Sequence, residues 1–244
     1  MNELRTMHLF AGIGGGLLAD LILGHRPIVA VEWEPYACQV LRERAAEGWF
    51  PGLHVWEGDV RLFDPSEYTG VVDCIHAGFP CQDISVAGKQ AGVSEGTRSG
   101  LYREVLRIAG VVRPRYLFLE NVSAILSNGL GTVLADLAAM GYDARWCCIR
   151  ASDVGAPHQR DRWWLLADNA CFNRDEVGGA GRLPLEPERT SFLGTIQSSG
   201  WAVPEPRMGC MDDGIPNRVG QLKGYGNAQV PLQAAAAWRL LGGC

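Results

Sequence analysis

Four groupings of side chains in this sequence could do chemistry. The first is a cysteine fixed between a proline and a glutamine, Gly78-Phe79-Pro80-Cys81-Gln82, directly after the apolar run VVDCIHAG. Pro80 stiffens the backbone ahead of the thiol, and a long polar, glycine-containing loop follows. Cys81 can therefore be accessible and held at a fixed angle, as nucleophilic attack requires. A buried, inert thiol is the commoner state of a cysteine, and Cys38 and Cys74 fit that description. The second grouping is Glu120-Asn121-Val122, where a carboxylate follows four apolar residues. Partial burial there would raise its pKa and let it donate a proton, while a structural or helix-capping role suits it equally well.

The third grouping is PHQRDRWW, in which Arg160 and Arg162 fall on one face if the segment is a strand. Paired arginines commonly form salt bridges, and they also suit recognition of a base carbonyl or a phosphate. The fourth is FAGIGGG, Phe10 to Gly16, between a strand pattern and a helix pattern. Glycines there permit a tight turn and close approach to a ligand at a helix N-terminus. The spacing departs from G-x-G-x-x-G, and a plain tight turn remains an alternative. Glu32 stands at the end of the second strand pattern, where a carboxylate can accept from ribose hydroxyls, and Trp33 beside it can stack on an adenine. Asp59 ends the third. Sites at successive strand ends converge on one crevice in an open α/β sheet. There is no G-K-[ST] triphosphate loop.

The elements that must position these residues are legible as alternating apolar runs and helical patterns. TMHLF, IVAVEW, HVWEGDV, VVDCIHAG and YLFLENV read as strands. Helical patterns lie between them, one with Pro35 in its first turn. WCCIRA and RWWLLAD could close the series as an antiparallel hairpin, and PLQAAAAWRLL (231–241) is a helix opened by Pro231. The fold class expected is α/β: a Rossmann-like, mostly parallel sheet with one antiparallel hairpin and helices on both faces. After Asp168 the periodicity stops. Residues 169–216 are rich in Gly, Pro, Arg and Glu, so they are expected to form a small irregular domain or functional insert splitting a main domain of 1–168 and 217–244.

Composition excludes several classes. With 244 residues, 47% apolar and 20% charged, the chain is a folded domain and not a disordered one. The formal charge of −5 does not announce a nucleic-acid binder, but it is uneven. Residues 1–97 carry 6 basic and 13 acidic side chains, whereas 98–162 carry 9 and 6. A polyanion would meet the middle of the chain, although such an excess also suits a solvated face. The eight cysteines form no C-x-x-C pair or zinc-like Cys/His spacing, so no metal is expected. MHLFAGIGGGLLADLILG is interrupted by Asp20 and lacks a cleavage site, so neither a signal peptide nor a membrane span is expected.

Taken in order, these blocks resemble the C5-cytosine DNA methyltransferase family. FAGIGGG is similar to its first motif, Glu32-Trp33 to the second, Gly58-Asp59-Val60 to the third and GFPCQ to the fourth. TRSGLYRE (97–104) is similar to the fifth, ENV to the sixth, HQRDR (158–162) to the eighth and GNAQVP (226–231) to the tenth. The resemblance runs from residue 7 to about 240, with 169–216 unmatched. It departs from the family at His158, where Gln is usual, and at Ala228, where Ser is commoner.

The resemblance implies transfer of a methyl group from S-adenosylmethionine to C5 of a flipped-out cytosine in double-stranded DNA, through a covalent Cys81–C6 adduct. Cys81 is implied as nucleophile, with Glu120, Arg162 and a supporting Arg160 around the base. Cofactor contacts are implied for Phe10, Ala11, Gly12, Ile13, Gly14, Gly15, Glu32, Trp33, Asp59, Val60, Gly78, Pro80, Leu101, Asn227 and Ala228. DNA contacts are implied for Gln82, Ser85, Lys89 and Arg98, the loop Asp83–Gly100 being a segment that closes over DNA. The insert takes the place of a target-recognition domain. A monomeric enzyme in the cytoplasm of a bacterial or phage-infected cell is expected. A tRNA cytosine methyltransferase of the same fold and an inactive DNA-binding regulator are the alternatives. A nicotinamide dehydrogenase, suggested by the glycine turn alone, has no support after residue 78.

Overall fold

The computed structural model of the protein describes residues 3–80, 100–127, 129–169, 224 and 228–243. β1 (Arg5–Leu9) leads into α1 (Gly15–Leu23), β2 (Arg26–Glu32) into α2 (Pro35–Ala46), and β3 (His54–Glu57) into two short 3-10 turns. β4 (Cys74–Gly78), α3 (Gly100–Val112), β5 (Tyr116–Val122) and α4 (Leu130–Ala139) continue the alternation. Two long strands, β6 (Tyr142–Arg150) and β7 (Asp161–Asn169), and a last helix, α5 (Pro231–Leu240), complete it. Pro35 and Pro231 open their helices, where the missing N–H costs no hydrogen bond.

The strands form one seven-stranded sheet in the order β3-β2-β1-β4-β5-β7-β6. β1 to β5 pair in parallel, and β7 runs antiparallel to both β5 and β6. The expected mostly parallel sheet with one hairpin is therefore present. Chain order reverses between neighbours β1 and β4, so the loops leaving them diverge and open a crevice at their carboxyl ends.

Both faces of the sheet are covered, which is why its strands read as nearly continuous apolar runs. Leu117 and Leu119 of β5, with Trp163 and Leu165 of β7, pack on Val105 and Ile108 of α3 and Leu137 of α4. Tyr116 and Phe118, with Trp164 and Leu166, face the opposite way, onto Ala19 and Leu23 of α1 and onto α5. Ala234 to Ala237 are all buried, and their small side chains let α5 approach closely. Trp238 then wedges edge-on against Tyr116 and Phe118, at ring separations of 5.4 and 5.3 Å. Burying side chains of this size contributes about 1.5–3 kcal/mol each, so α5 is a structural part of the sheet domain.

Two boundaries differ from the sequence reading. β3 stops at Glu57, so Asp59 does not end a strand; it caps the 3-10 turn Val60–Leu62, its carboxylate accepting from Arg61 N at 3.0 Å. The hairpin strand β6 begins at Tyr142, four residues before WCCIRA. It is an edge strand with several exposed side chains, so its first half lacks an apolar signature. β7, the second arm, inserts between β5 and β6.

A polar cluster sits within the α1/α5 side of the sheet. His8 and His76 are register partners across β1 and β4, with ring centroids 4.9 Å apart. His8 Nε2 donates to Asp20 Oδ2 of α1 at 2.6 Å, and the Thr6 hydroxyl donates to the same oxygen. Burial alone would raise the Asp20 carboxyl, but the charge and hydrogen bond of His8 outweigh it and hold the group below the usual carboxylate range. Burial, seconded by the His8 charge, pulls His76 down to about 3, so its imidazole is neutral. Ligand atoms of His8, Asp20 and His76 lie within 4.8 Å of one another, a grouping that their positions along the chain conceal. The His8–Asp20 hydrogen bond already joins two of them.

Candidate active site

The Gly-rich loop follows β1. Phe10 leaves the strand with φ +58°, and Gly12 and Gly14 follow at +54° and +96°. These left-handed conformations turn the chain tightly and deliver it to the start of α1. A Cβ added at Gly12 would meet nothing within 4 Å, so open space lies beside the loop. Ala11 and Ile13 are half-buried within it. Glu32, at the end of β2, is buried and clamps the loop. Its Oε2 accepts from Gly12 N at 2.7 Å, and its Oε1 accepts from Trp33 N and Glu34 N, each at 2.9 Å. Trp33 next to it is 71% exposed, with its indole turned outward at the crevice edge. Gly58 N donates to Glu32 O at 2.9 Å and sets Asp59 and the buried Val60 beside the end of β2.

The second half of the site gathers on β4, β5 and β7. Register pairs Gly78 with Glu120, and Glu120 in turn with Trp164. Glu120 Oε1 meets Arg162 Nε at 2.9 Å, and Glu120 Oε2 accepts from Gln229 Nε2 at 3.4 Å. Burial raises the Glu120 carboxyl above its usual range, and Arg162, Gln229 and Arg160 offset this only in part. A carboxyl in that state can hold a proton closer to neutral pH than an exposed one. Burial, and next the Arg162 charge, lower the Arg160 guanidinium. Arg162 Nη1 also donates to Asp161 O at 2.8 Å, and a five-donor fork has capacity beyond these two contacts. Arg160 lies just ahead of β7, and a cleft lined by His158, Arg160, Ala228 and Val230 opens next to it.

Asn121 explains its place beside Glu120. It is 3% exposed, donates from Nδ2 to Phe79 O at 3.1 Å, and accepts from Val122 N at 2.8 Å. The residue that precedes Pro80 is thereby pinned to β5. Pro80 itself is exposed, and Leu101 of α3 is half-buried against the core. Cys81, Gln82, Ser85, Lys89, Arg98, Asn227 and most of the insert 169–216 lie outside the described residues, as does most of the loop Asp83–Gly100.

Sequence reasoning missed two glutamines. Gln229 lies within the tenth block, but only its neighbours Asn227 and Ala228 were singled out. Gln233 of α5 is fully buried and donates from Nε2 to Ile149 O at 2.7 Å and to Arg160 O at 3.0 Å, fixing the backbone before β7. The available signal was a polar residue within an Ala-rich apolar helix.

The family of C-5 cytosine-specific DNA methylases matches residues 4–190. The chain belongs to this family. Among curated members, it is 36% identical to the Type II methyltransferase M.CviJI of Paramecium bursaria Chlorella virus IL3A, over 71% of this chain and 45% of that protein. It is 32% identical to the Type II methyltransferase M.NaeI of Lentzea aerocolonigenes, over 99% of this chain and 59% of that one. The chain spans about half the length of the curated relatives it matches. A crystal structure attributed to a prophage-encoded DNA modification methyltransferase of Escherichia coli superposes with a TM-score of 0.55 at 26% identity. That superposition covers 70% of this chain and 48% of the other. Within this family member, the half-buried Glu120–Arg162 pair and the Gly12–Glu32 clamp occupy the same crevice rim, at opposite sides of the β1/β4 switch.

Proposed function

We propose that this chain transfers a methyl group from S-adenosylmethionine to C5 of a cytosine in double-stranded DNA. The observation that carries the reading is Glu120, half-buried between Arg162 and Gln229, one strand away from the segment that leads into Pro80-Cys81-Gln82. The curated relatives are Type II methyltransferases by name, which favours DNA over RNA as substrate.

The residues suit the cofactor. Open space beside Gly12, a buried acceptor at Glu32 and an outward indole at Trp33 match a ribose and an adenine, and Asp59 adds a further acceptor. When bound, S-adenosylmethionine supplies an electrophilic methyl on sulfonium. Cytosine C5 is a weak nucleophile, and Cys81 would correct this by adding its thiolate to C6 while Glu120 gives a proton to N3. The C6 adduct would carry an enamine-like C5, nucleophilic enough to take the methyl that the cofactor supplies. Removal of the C5 proton by a base would then expel the Cys81 thiolate, and the N3 proton would return to Glu120. Arg162, with Arg160 behind it, would hold the O2 carbonyl and keep Glu120 oriented. The base has to leave the duplex to reach this site. Residues 169–216 would read the target sequence, and Lys89 and Arg98 would close on the strand.

The test is tritium transfer from labelled cofactor to duplex DNA and to tRNA, by the wild type and by Cys81→Ser. Label in duplex DNA, lost in Cys81→Ser while DNA binding persists, is expected. Label in tRNA alone, or near wild-type transfer by Cys81→Ser, overturns the proposal.

A further inference from the structure

We infer that Gln229 is the positioning residue for Glu120, holding its Oε2 as the oxygen that faces the base. The inference rests on the methyltransferase reading only for its catalytic consequence. Three glycines from two distant blocks make room for this one side chain and its peptide. A Cβ at Gly15 would lie 2.2 Å from Gln229 O, one at Gly16 would lie 2.7 Å from Gln229 Oε1, and one at Gly78 would lie 2.8 Å from Gln229 Nε2. The Gly15 contact is with backbone, so it cannot be relieved by a rotamer change. The segment that re-enters the fold ahead of α5 is therefore seated on the first turn of α1 and on the end of β4 at the same time.

The carboxamide nitrogen faces Glu120 Oε2 at 3.4 Å, and a Cβ at Gly16 would meet its oxygen. While Glu120 is ionised, a flipped amide would set oxygen against carboxylate oxygen. Glu120 is thus gripped at both oxygens, Oε1 by the Arg162 cation and Oε2 by a neutral amide. A proton is held less readily on an oxygen beside a guanidinium, so it resides on Oε2. A protonated Oε2 can still accept from Gln229 while its O–H donates outward to a base nitrogen. Gln229 thereby fixes both the plane of the carboxyl and the side that carries the proton. Because its peptide rests on Gly15, it also couples the Gly-rich loop to Glu120 through contacts among packed atoms.

Two readouts test this. In the full chain without DNA, glutamate Cδ is labelled with 13C and the Glu120 resonance is assigned with Glu120→Gln. The Glu120 titration is then followed in wild type, in Gln229→Met and in Gly78→Ala. Gln229→Met keeps the length and removes the donor, and Gly78→Ala puts a methyl 2.8 Å from the amide nitrogen and 3.0 Å from Glu120 Oε2, forcing the two apart. Both should move the Glu120 midpoint to higher pH, because a hydrogen bond favouring the carboxylate is lost. Both should lower kcat about tenfold with KM for cofactor and DNA within about twofold, as misorientation of a reacting group does. An unmoved midpoint in either folded variant overturns the inference. If wild type transfers no methyl to cytosine, the functional reading fails, and the titration still decides the role of Gln229.

Discussion

Replacing His76 by leucine should make the fold less sensitive to acid, by an amount that follows from the burial of this imidazole. His76 lies between His8, Phe118 and Trp164, with ring separations of 4.9, 4.8 and 6.2 Å, and is 3% exposed. Its pKa is pulled down to about 3, and the one carboxylate acting on it among the described residues, Asp20, is already bonded to His8 and Thr6. In the unfolded chain a histidine titrates near ~6.5. As pH falls below that value the unfolded chain binds a proton that the native state refuses, so stability drops continuously until about pH 3. Between pH 7.5 and 5.0 the loss amounts to about 1.5 pH units of proton uptake, or about 2 kcal/mol. His76→Leu removes this loss, while His25, lowered by burial, contributes to both proteins and cancels in the comparison. Urea unfolding followed by tryptophan fluorescence at both pH values measures it. Wild type should lose about 2 kcal/mol more than His76→Leu over this interval. Equal losses in the two proteins would show that His76 is not held neutral.

Two further outcomes are expected. Gly15→Ala drives a methyl into the Gln229 carbonyl, which is backbone and cannot step aside, so it should cost about 3 kcal/mol in thermal or urea unfolding. A variant as stable as wild type would refute the close seating of that segment. Burial, with Glu32 and Glu57 nearby, pushes the Cys38 thiol up to about 11, and burial raises Cys74 as well. At pH 8 only on the order of 10⁻³ of Cys38 is thiolate. Iodoacetamide should therefore leave both unmodified in the native protein, as peptide mass spectrometry reads directly. Labelling at the denatured rate would contradict their burial.

The sheet was legible because strands covered on both faces leave little polar residue to interrupt them, as in VVDCIHAG and YLFLENV. Proline at a first helical turn announced α2 and α5. Asp59 reads as part of a strand because Val55, Trp56 and Val60 bracket Glu57-Gly58-Asp59, whereas the ladder stops at Glu57 and leaves the aspartate as a cap. Glu120, Arg160 and Arg162 were recognised as individual residues, and their convergence follows from β7 lying antiparallel beside β5. Gln229 was not recognised, because it reaches Glu120 across 109 positions of sequence and its signature is the absence of side chains at Gly15, Gly16 and Gly78. The His8, Asp20 and His76 cluster was hidden for a similar reason, since only the β1/β4 register makes the two histidines neighbours.

The packing of α5 on α1 also sets an order of events during synthesis. Arg239 Nη2 lies 3.5 Å from the carbonyl of Ile22, 217 positions earlier, and Trp238 covers an aromatic face first laid down at Tyr116. At ~5–20 residues per second, the interval between Tyr116 and Trp238 lasts roughly 6–25 s. Throughout it, Tyr116, Phe118 and then Trp164 lack their cover, and Glu120 lacks the amide that grips it. The nascent chain is therefore both sticky and without its full site until α5 has been made. Its yield in a cell depends on what shields that surface until α5 docks.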